Sequence, residues 1–155
     1  MKIFISHKQQ DAYIANQIAN ELYLLNVDYY LDLLDSSIEQ GGKELTDHIK
    51  KNLNDCTDLI VIMSQMTKLS QWVPFEIGMA AQKDMPTATF LHAEVPLPDF
   101  LEYWPRLKTP QDIRKYVEVK KKMNPQIVLE KGFSQYVNNS AFDTQRFYAE
   151  LRKSL

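Results

Sequence analysis

A single cysteine, Cys56, stands among the 155 residues, so no disulfide can form within the chain. The three histidines, His7, His48 and His92, are too scattered to show a recurring zinc spacing. A reducing compartment and no structural metal are therefore expected. Glycine is scarce as well. With only Gly41, Gly42, Gly78 and Gly132, the chain holds no G-x-G-x-x-G, which excludes a Rossmann pyrophosphate loop. Gly42-Lys43 has the look of a phosphate-binding loop's end, but that motif needs glycine where Ser37 stands and serine or threonine where Glu44 stands. Neither sign of charge is in excess. Eighteen Lys and Arg oppose 20 Asp and Glu, a net −2, so no global field gathers phosphate backbones or anionic lipid, and nucleic acid is not an expected partner. No apolar run approaches the roughly 18 residues that span a bilayer. The opening Lys2-Ile3-Phe4-Ile5 is too short for the apolar region of a signal peptide. A cytoplasmic protein with no membrane partner is expected.

What is present suffices for one well-packed core. The chain is 45% hydrophobic, with 7 Phe, 8 Tyr and 2 Trp, and its length suits a single domain rather than two. Short apolar runs alternate with segments of helical periodicity, the pattern of an α/β fold with a parallel sheet. Ile3 to Ile5 read as a buried strand, and Ala15, Ile18, Ala19, Leu22 and Leu25 form one helical stripe. Val27 to Leu31 read as a second strand. After a polar stretch from Asp35 through Gly42, which is long for a βα connection, Leu45, Ile49 and Leu53 recur at helical spacing. Leu59 to Met63 is apolar without alternation, as a central strand buried on both faces requires.

A third helix is expected from about Ser70 to Asp84, then strands at Ala88 to Leu91 and Arg106 to Lys108. Thr109-Pro110-Gln111-Asp112 is a helix start, with a cap residue, proline at the first helical position and an acid two further on. Asn138 and Asn139 precede a last helix bearing Phe142, Phe147 and Leu151. Lys120-Lys121-Lys122 reads as the solvated end of a helix.

Ligands of open parallel sheets bind beyond the carboxyl ends of the strands, which points to Ser6-His7-Lys8, Asp32 to Gly42, and Ser64 to Trp72. A phosphoacceptor receiver domain would place acids at such strand ends, where Ser6 and Ser64 stand instead. The remaining constellation is Ser70-x-Trp72-x-x-x-Glu76, an aromatic and a carboxylate on one helical face. Spacing alone favours the plainer reading, a core aromatic at Trp72 and an exposed acid near the positive helix end at Glu76. His7 suits a partner for local backbone groups better than a base, Lys8 is as readily a solvated side chain as a ligand contact, and Asp11 suits the N-cap of the first helix and Cys56 a small buried filler.

These residues resemble the Toll/interleukin-1 receptor (TIR) domains, particularly the bacterial ones. Lys2-Ile3-Phe4-Ile5-Ser6-His7 with Asp11-Ala12 is similar to the family's opening strand and loop, and Tyr30-Leu31-Asp32 with Ile38-Glu39-Gln40-Gly41 to its second strand and BB loop. Ile60-Val61-Ile62-Met63-Ser64 and Ser70-Gln71-Trp72-Val73-Pro74-Phe75-Glu76 are similar to its third strand and helix, including the W-x-x-x-E signature. The likeness spans residues 2 to 92 and weakens beyond. It implies a flavodoxin-like three-layer fold, a five-stranded parallel sheet of order 2-1-3-4-5 with helices on both faces; length and periodicity make the chain a single domain over 1–155, with its core at 2–123 and an extra C-terminal helix at about 140–154 that the likeness does not reach.

The resemblance also implies an enzyme that cleaves the nicotinamide–ribose bond of NAD, with Glu76 as the catalytic residue. Ser6, His7, Lys8, Ile38, Glu39, Gly41, Ser70 and Trp72 would bind substrate, with Trp72 lining the nicotinamide or ribose pocket and the loop around Glu39 and Gly41 forming the outer wall. NAD is the substrate and no cofactor is implied. Homo-oligomers through the loop 33–42 and a downstream effector responding to the product are implied partners, within bacterial antiviral defence or signalling. The alternative is a non-catalytic module that docks on other TIR domains. Adaptor members commonly lack the glutamate, so Glu76 favours catalysis.

Overall fold

Successive strand residues face opposite sides of a sheet, and in this chain the two sides are covered by different helices. The computed structural model describes residues 1–31, 42–93, 95–131 and 140–155. In chain order the elements are β1 (Lys2–Ser6), α1 (Ala12–Leu24), β2 (Asp28–Leu31), α2 (Gly42–Asn54), β3 (Asp58–Met63), α3 (Trp72–Gln82), β4 (Thr87–Leu91), β5 (Arg106–Leu107), α4 (Pro110–Lys131) and α5 (Ser140–Ser154). The strands form one parallel sheet of order β2-β1-β3-β4-β5, the expected arrangement.

Ile3, Ile5, Ile60, Ile62, Ala88 and Phe90 pack against α1, α4 and α5. Phe4, Leu59, Val61 and Met63 pack against Leu53 of α2 and Val73, Ile77 and Ala80 of α3. β3 is buried along its whole length, as its unbroken apolar run requires. Ser6 lies one pleat beyond Phe4 and beside Val61, so it faces the α2–α3 layer. That parity decides what Ser6 can reach.

The helix ends follow from local chemistry. After α1, Asn26 takes a left-handed φ of 53°, while Asn26 N bonds to Tyr23 O and Val27 N to Leu22 O. Asp84 does the same after α3, with a φ of 51° and bonds from Asp84 N to Ala81 O and Met85 N to Ala80 O. At the start of α4, Asp112 Oδ2 accepts the Lys108 and Thr109 N–H groups at 3.0 Å each, and Asp112 N donates to Thr109 Oγ1 at 3.3 Å. The helix-start signal at Thr109-Pro110 is thus real.

Boundaries differ by a residue or two from the sequence reading, as fraying ends do. Val27 is buried but precedes β2, Gly42 belongs to α2 rather than to the loop, and α3 runs from Trp72 to Gln82. A larger correction concerns Lys120, which is not at a solvated helix end. α4 continues to Lys131, and Lys120 pairs with the fully buried Asp58. The C-terminal α5 buries Phe147, Tyr148 and Leu151 in the cluster that holds Ile3 and Ile5, and Tyr148 Oη accepts the Thr87 N–H at 2.8 Å. Asn138, Asn139 and the side chain of Phe142 lie outside the described residues.

Candidate active site

Glu76 is 1% exposed and shares the buried stripe of α3 with Val73, Ile77 and Ala80. An acid in a core-facing position needs a donor, since an unpartnered buried carboxylate is costly. Ser6 supplies one. Its hydroxyl donates to Glu76 Oε2 at 2.5 Å, joining the carboxyl end of β1 to the first turns of α3. The reading of Glu76 as an exposed acid at the helix start is therefore wrong. The sequence carried the signal: Glu76 is in phase with Val73, Ile77 and Ala80, where an acid has no packing reason to be.

Trp72 is half-buried at the first position of α3, with its ring edge-on to Phe75 at 5.9 Å between centroids. Pro74 falls in the first turn, where a missing N–H costs nothing. Ser70 Oγ accepts the N–H groups of Trp72 and Val73, both at 3.3 Å, and so anchors the start of the helix. His7 is 7% exposed, with its Nδ1 3.3 Å from the carbonyl of Ile5, a local backbone partner as the bare sequence favours. Lys8 is half-buried, and its carbonyl accepts the Asp11 N–H at 2.8 Å, which folds the β1–α1 loop into a tight turn. Ile38, Glu39 and Gly41, with the rest of 32–41, lie outside the described residues.

Asp11 is different from what the sequence suggests. It occupies the N-cap position of α1, but its side chain makes no capping bond. The carboxylate is 5% exposed, and Oδ2 accepts the hydroxyls of Ser64 (2.6 Å) and Thr67. Ser64 Oγ in turn accepts the N–H groups of Met66 (3.0 Å) and Thr67 (3.1 Å). The loops after β1 and β3 are tied together by this cluster. Periodicity offered a hint, because Asp11 is in phase with the buried Ile14, Ala15 and Ile18.

Around this face lie exposed apolar side chains: Leu69 at 71%, Met66 at 41% and Phe75 at 37%. Among the described residues no group of three His, Cys, Asp or Glu is placed to hold a metal ion, and no helix is long and apolar enough to cross a membrane. A family model described as the TIR domain matches residues 3–124, from β1 into α4. A search of curated proteins finds no match to the chain.

Proposed function

The chain belongs to the TIR domain family, and from that footing we propose that it is an NAD glycohydrolase or cyclase, releasing nicotinamide together with ADP-ribose or a cyclised isomer. The observation that carries this reading is the Glu76 carboxylate, nearly without exposed surface and holding a hydroxyl donor at 2.5 Å beyond the end of β1. A carboxylate that accepts the Ser6 hydroxyl there suits a ribose hydroxyl brought to the same place. Nicotinamide on ribose is a cationic pyridinium and departs neutral, so its loss needs no general acid, unlike the alkoxide of an ordinary glycoside. Positive charge then grows on the ribose. An anionic carboxylate in dry surroundings stabilises that charge more than it would in water.

In this reading Trp72, four residues before Glu76 on α3, lines the nicotinamide or ribose, and His7 and Lys8 meet the rest of the dinucleotide. Ser70 holds the helix start beside them, and Ile38, Glu39 and Gly41 close the outer wall. NAD serves as substrate and no cofactor is required. Copies of the chain assemble through their TIR surfaces, to which the exposed Met66, Leu69 and Phe75 are suited. The setting is a cytoplasmic bacterial defence or signalling system, in which an effector responds to the nucleotide product.

The test is nicotinamide release from NAD by the purified protein at high concentration, with and without a crowding agent, beside Glu76→Gln. The expected loss is at least about 100-fold, or about 2.7 kcal/mol of barrier at 1.36 kcal/mol per decade. Equal rates in the two proteins would remove Glu76 from the mechanism. Wild-type protein that releases none under any of these conditions is instead a non-catalytic interaction module.

A further inference from the structure

We infer that Asp11 is a positioning residue: its buried carboxylate clamps the loop after β3 to the loop after β1 and so fixes the entry to α3, the helix that carries Trp72 and Glu76. This rests on the NAD-cleaving reading of the same site. A carboxylate that is 5% exposed is an expensive way to fill space, since an apolar or neutral side chain would avoid the desolvation. Its placement is explained by what it holds. Oδ2 accepts from both Ser64 and Thr67, which come from the loop after β3 and lie 53 and 56 residues away in sequence.

The chain of bonds continues in both directions. On one side, Asp11 N binds Lys8 O, which fixes the turn that presents His7 and Lys8. On the other, Ser64 Oγ takes the N–H groups of Met66 and Thr67, Ser70 N binds Thr67 O at 2.9 Å, and Ser70 Oγ receives Trp72 N and Val73 N. Each step is one hydrogen bond, and no step between Asp11 and the first turn of α3 is left to a free loop. The Ser64 hydroxyl is fully used, with one donation and two acceptances. Loss of Asp11 leaves the Ser64 and Thr67 hydroxyls without their acceptor, and the segment 64–71 gains freedom beside the reacting bond. Because proximity and orientation supply much of an enzymatic rate, a loosened entry to α3 slows the chemical step even where substrate still binds.

Three variants and two readouts test this. Asp11→Ala removes the acceptor, Thr67→Val removes one donor at constant shape, and Asp11→Asn keeps an oxygen that accepts from both hydroxyls. Per folded molecule, Asp11→Ala is expected to lower kcat for nicotinamide release by at least about tenfold, one decade of rate, with KM changed by less than about threefold. Thr67→Val is expected to fall between it and wild type, and Asp11→Asn to recover most of the loss. Amide hydrogen exchange at 66–70 is expected to quicken by about tenfold or more in Asp11→Ala while β3 keeps its protection, the mark of local rather than global opening. An unchanged kcat per folded molecule, or unchanged exchange at 66–70, overturns the clamp. Should Asp11→Ala fail to fold, Thr67→Val decides by the same two readouts. Wild-type protein that cleaves no NAD overturns the reaction and Asp11's part in it, whereas the exchange measurement still judges the clamp by itself.

Discussion

Lys120 Nζ of α4 lies 2.8 Å from Oδ1 of Asp58, whose carboxylate at the head of β3 has no exposed surface. Tyr116 Oη donates to the same oxygen at 2.8 Å, Thr57 Oγ1 donates to Oδ2 at 2.6 Å, and the ammonium sits 4.8 Å from the centroid of the Phe147 ring. Burial and the Asp58 charge push the Tyr116 hydroxyl well above its ordinary pKa, so it stays a donor throughout the physiological range. One carboxylate therefore fastens the central strand to α4, and Lys120 carries the link on to Phe147 of α5, at the amino-terminal end of the strands and away from Ser6 and Glu76.

Removing one member of a buried pair strands the other. Lys120→Met is expected to cost about 3 kcal/mol or more in urea unfolding. Tyr116→Phe, which keeps the ring against Phe147, is expected to cost about 1.5–3 kcal/mol, as for a hydrogen bond to a charged group. The double replacement Asp58→Leu with Lys120→Met should cost less than Lys120→Met alone, because no bare carboxylate remains. A double replacement that costs the sum of the two singles would refute the coupling.

Ser6→Ala deprives Glu76 of a donor without touching the acid. A decrease in stability of about 1–3 kcal/mol is expected, the cost of an unsatisfied buried group. Nicotinamide release should fall by about tenfold, less than for Glu76→Gln, because the carboxylate survives but is no longer held in place. Thermal melts and steady-state kinetics on one preparation check both.

Acid should loosen the start of α4 only at the low end of the carboxylate range. Burial raises the Asp112 carboxyl, but hydrogen bonds from Lys108, Thr109 and Lys115 outweigh it and hold the group below its ordinary 3.8. A depressed folded value means the stabilisation is complete above about pH 4 and is lost as pH falls through that lower value. Asp112→Ala should remove this acid limb and cost about 1 kcal/mol near neutrality, the usual worth of a helix cap. Melting temperatures of both proteins between about pH 7 and pH 3 check the sign.

Cys56 is 6% exposed, and desolvation pushes its thiol up to about 11. At about pH 8 the thiolate is a small fraction, so alkylation by iodoacetamide should be at least about 100-fold slower than for a free thiol of ordinary pKa near 8.5. Rapid labelling of the folded protein, seen by intact mass, would contradict the buried placement.

Much of the architecture could be read from period and punctuation. Leu45, Ile49 and Leu53 are all buried, as their spacing in α2 predicts, and the apolar run of β3 is the sheet's centre. Polar side chains inside the core were harder. Glu76 and Asp11 sit in phase with apolar stripes, yet each also fits a common surface role near a helix start, and spacing alone favours that role. Lys120 in a run of three lysines looks solvated because its partner, Asp58, is contributed by a strand far away in sequence. Long-range pairing between one base and one acid leaves no periodic trace. The Ser6–Glu76 contact follows from sheet parity, but only once the strand register is known.

The family match stops at residue 124, whereas Phe147, Tyr148 and Leu151 complete the apolar layer over β1, β3 and β4. Anyone who trims the polypeptide to the matched segment would strip that covering away, exposing a greasy flank and orphaning the Thr87 amide that Tyr148 receives. Inclusion bodies, not a minimal enzyme, would be the harvest, and silence in an assay of such a fragment would say nothing about Glu76.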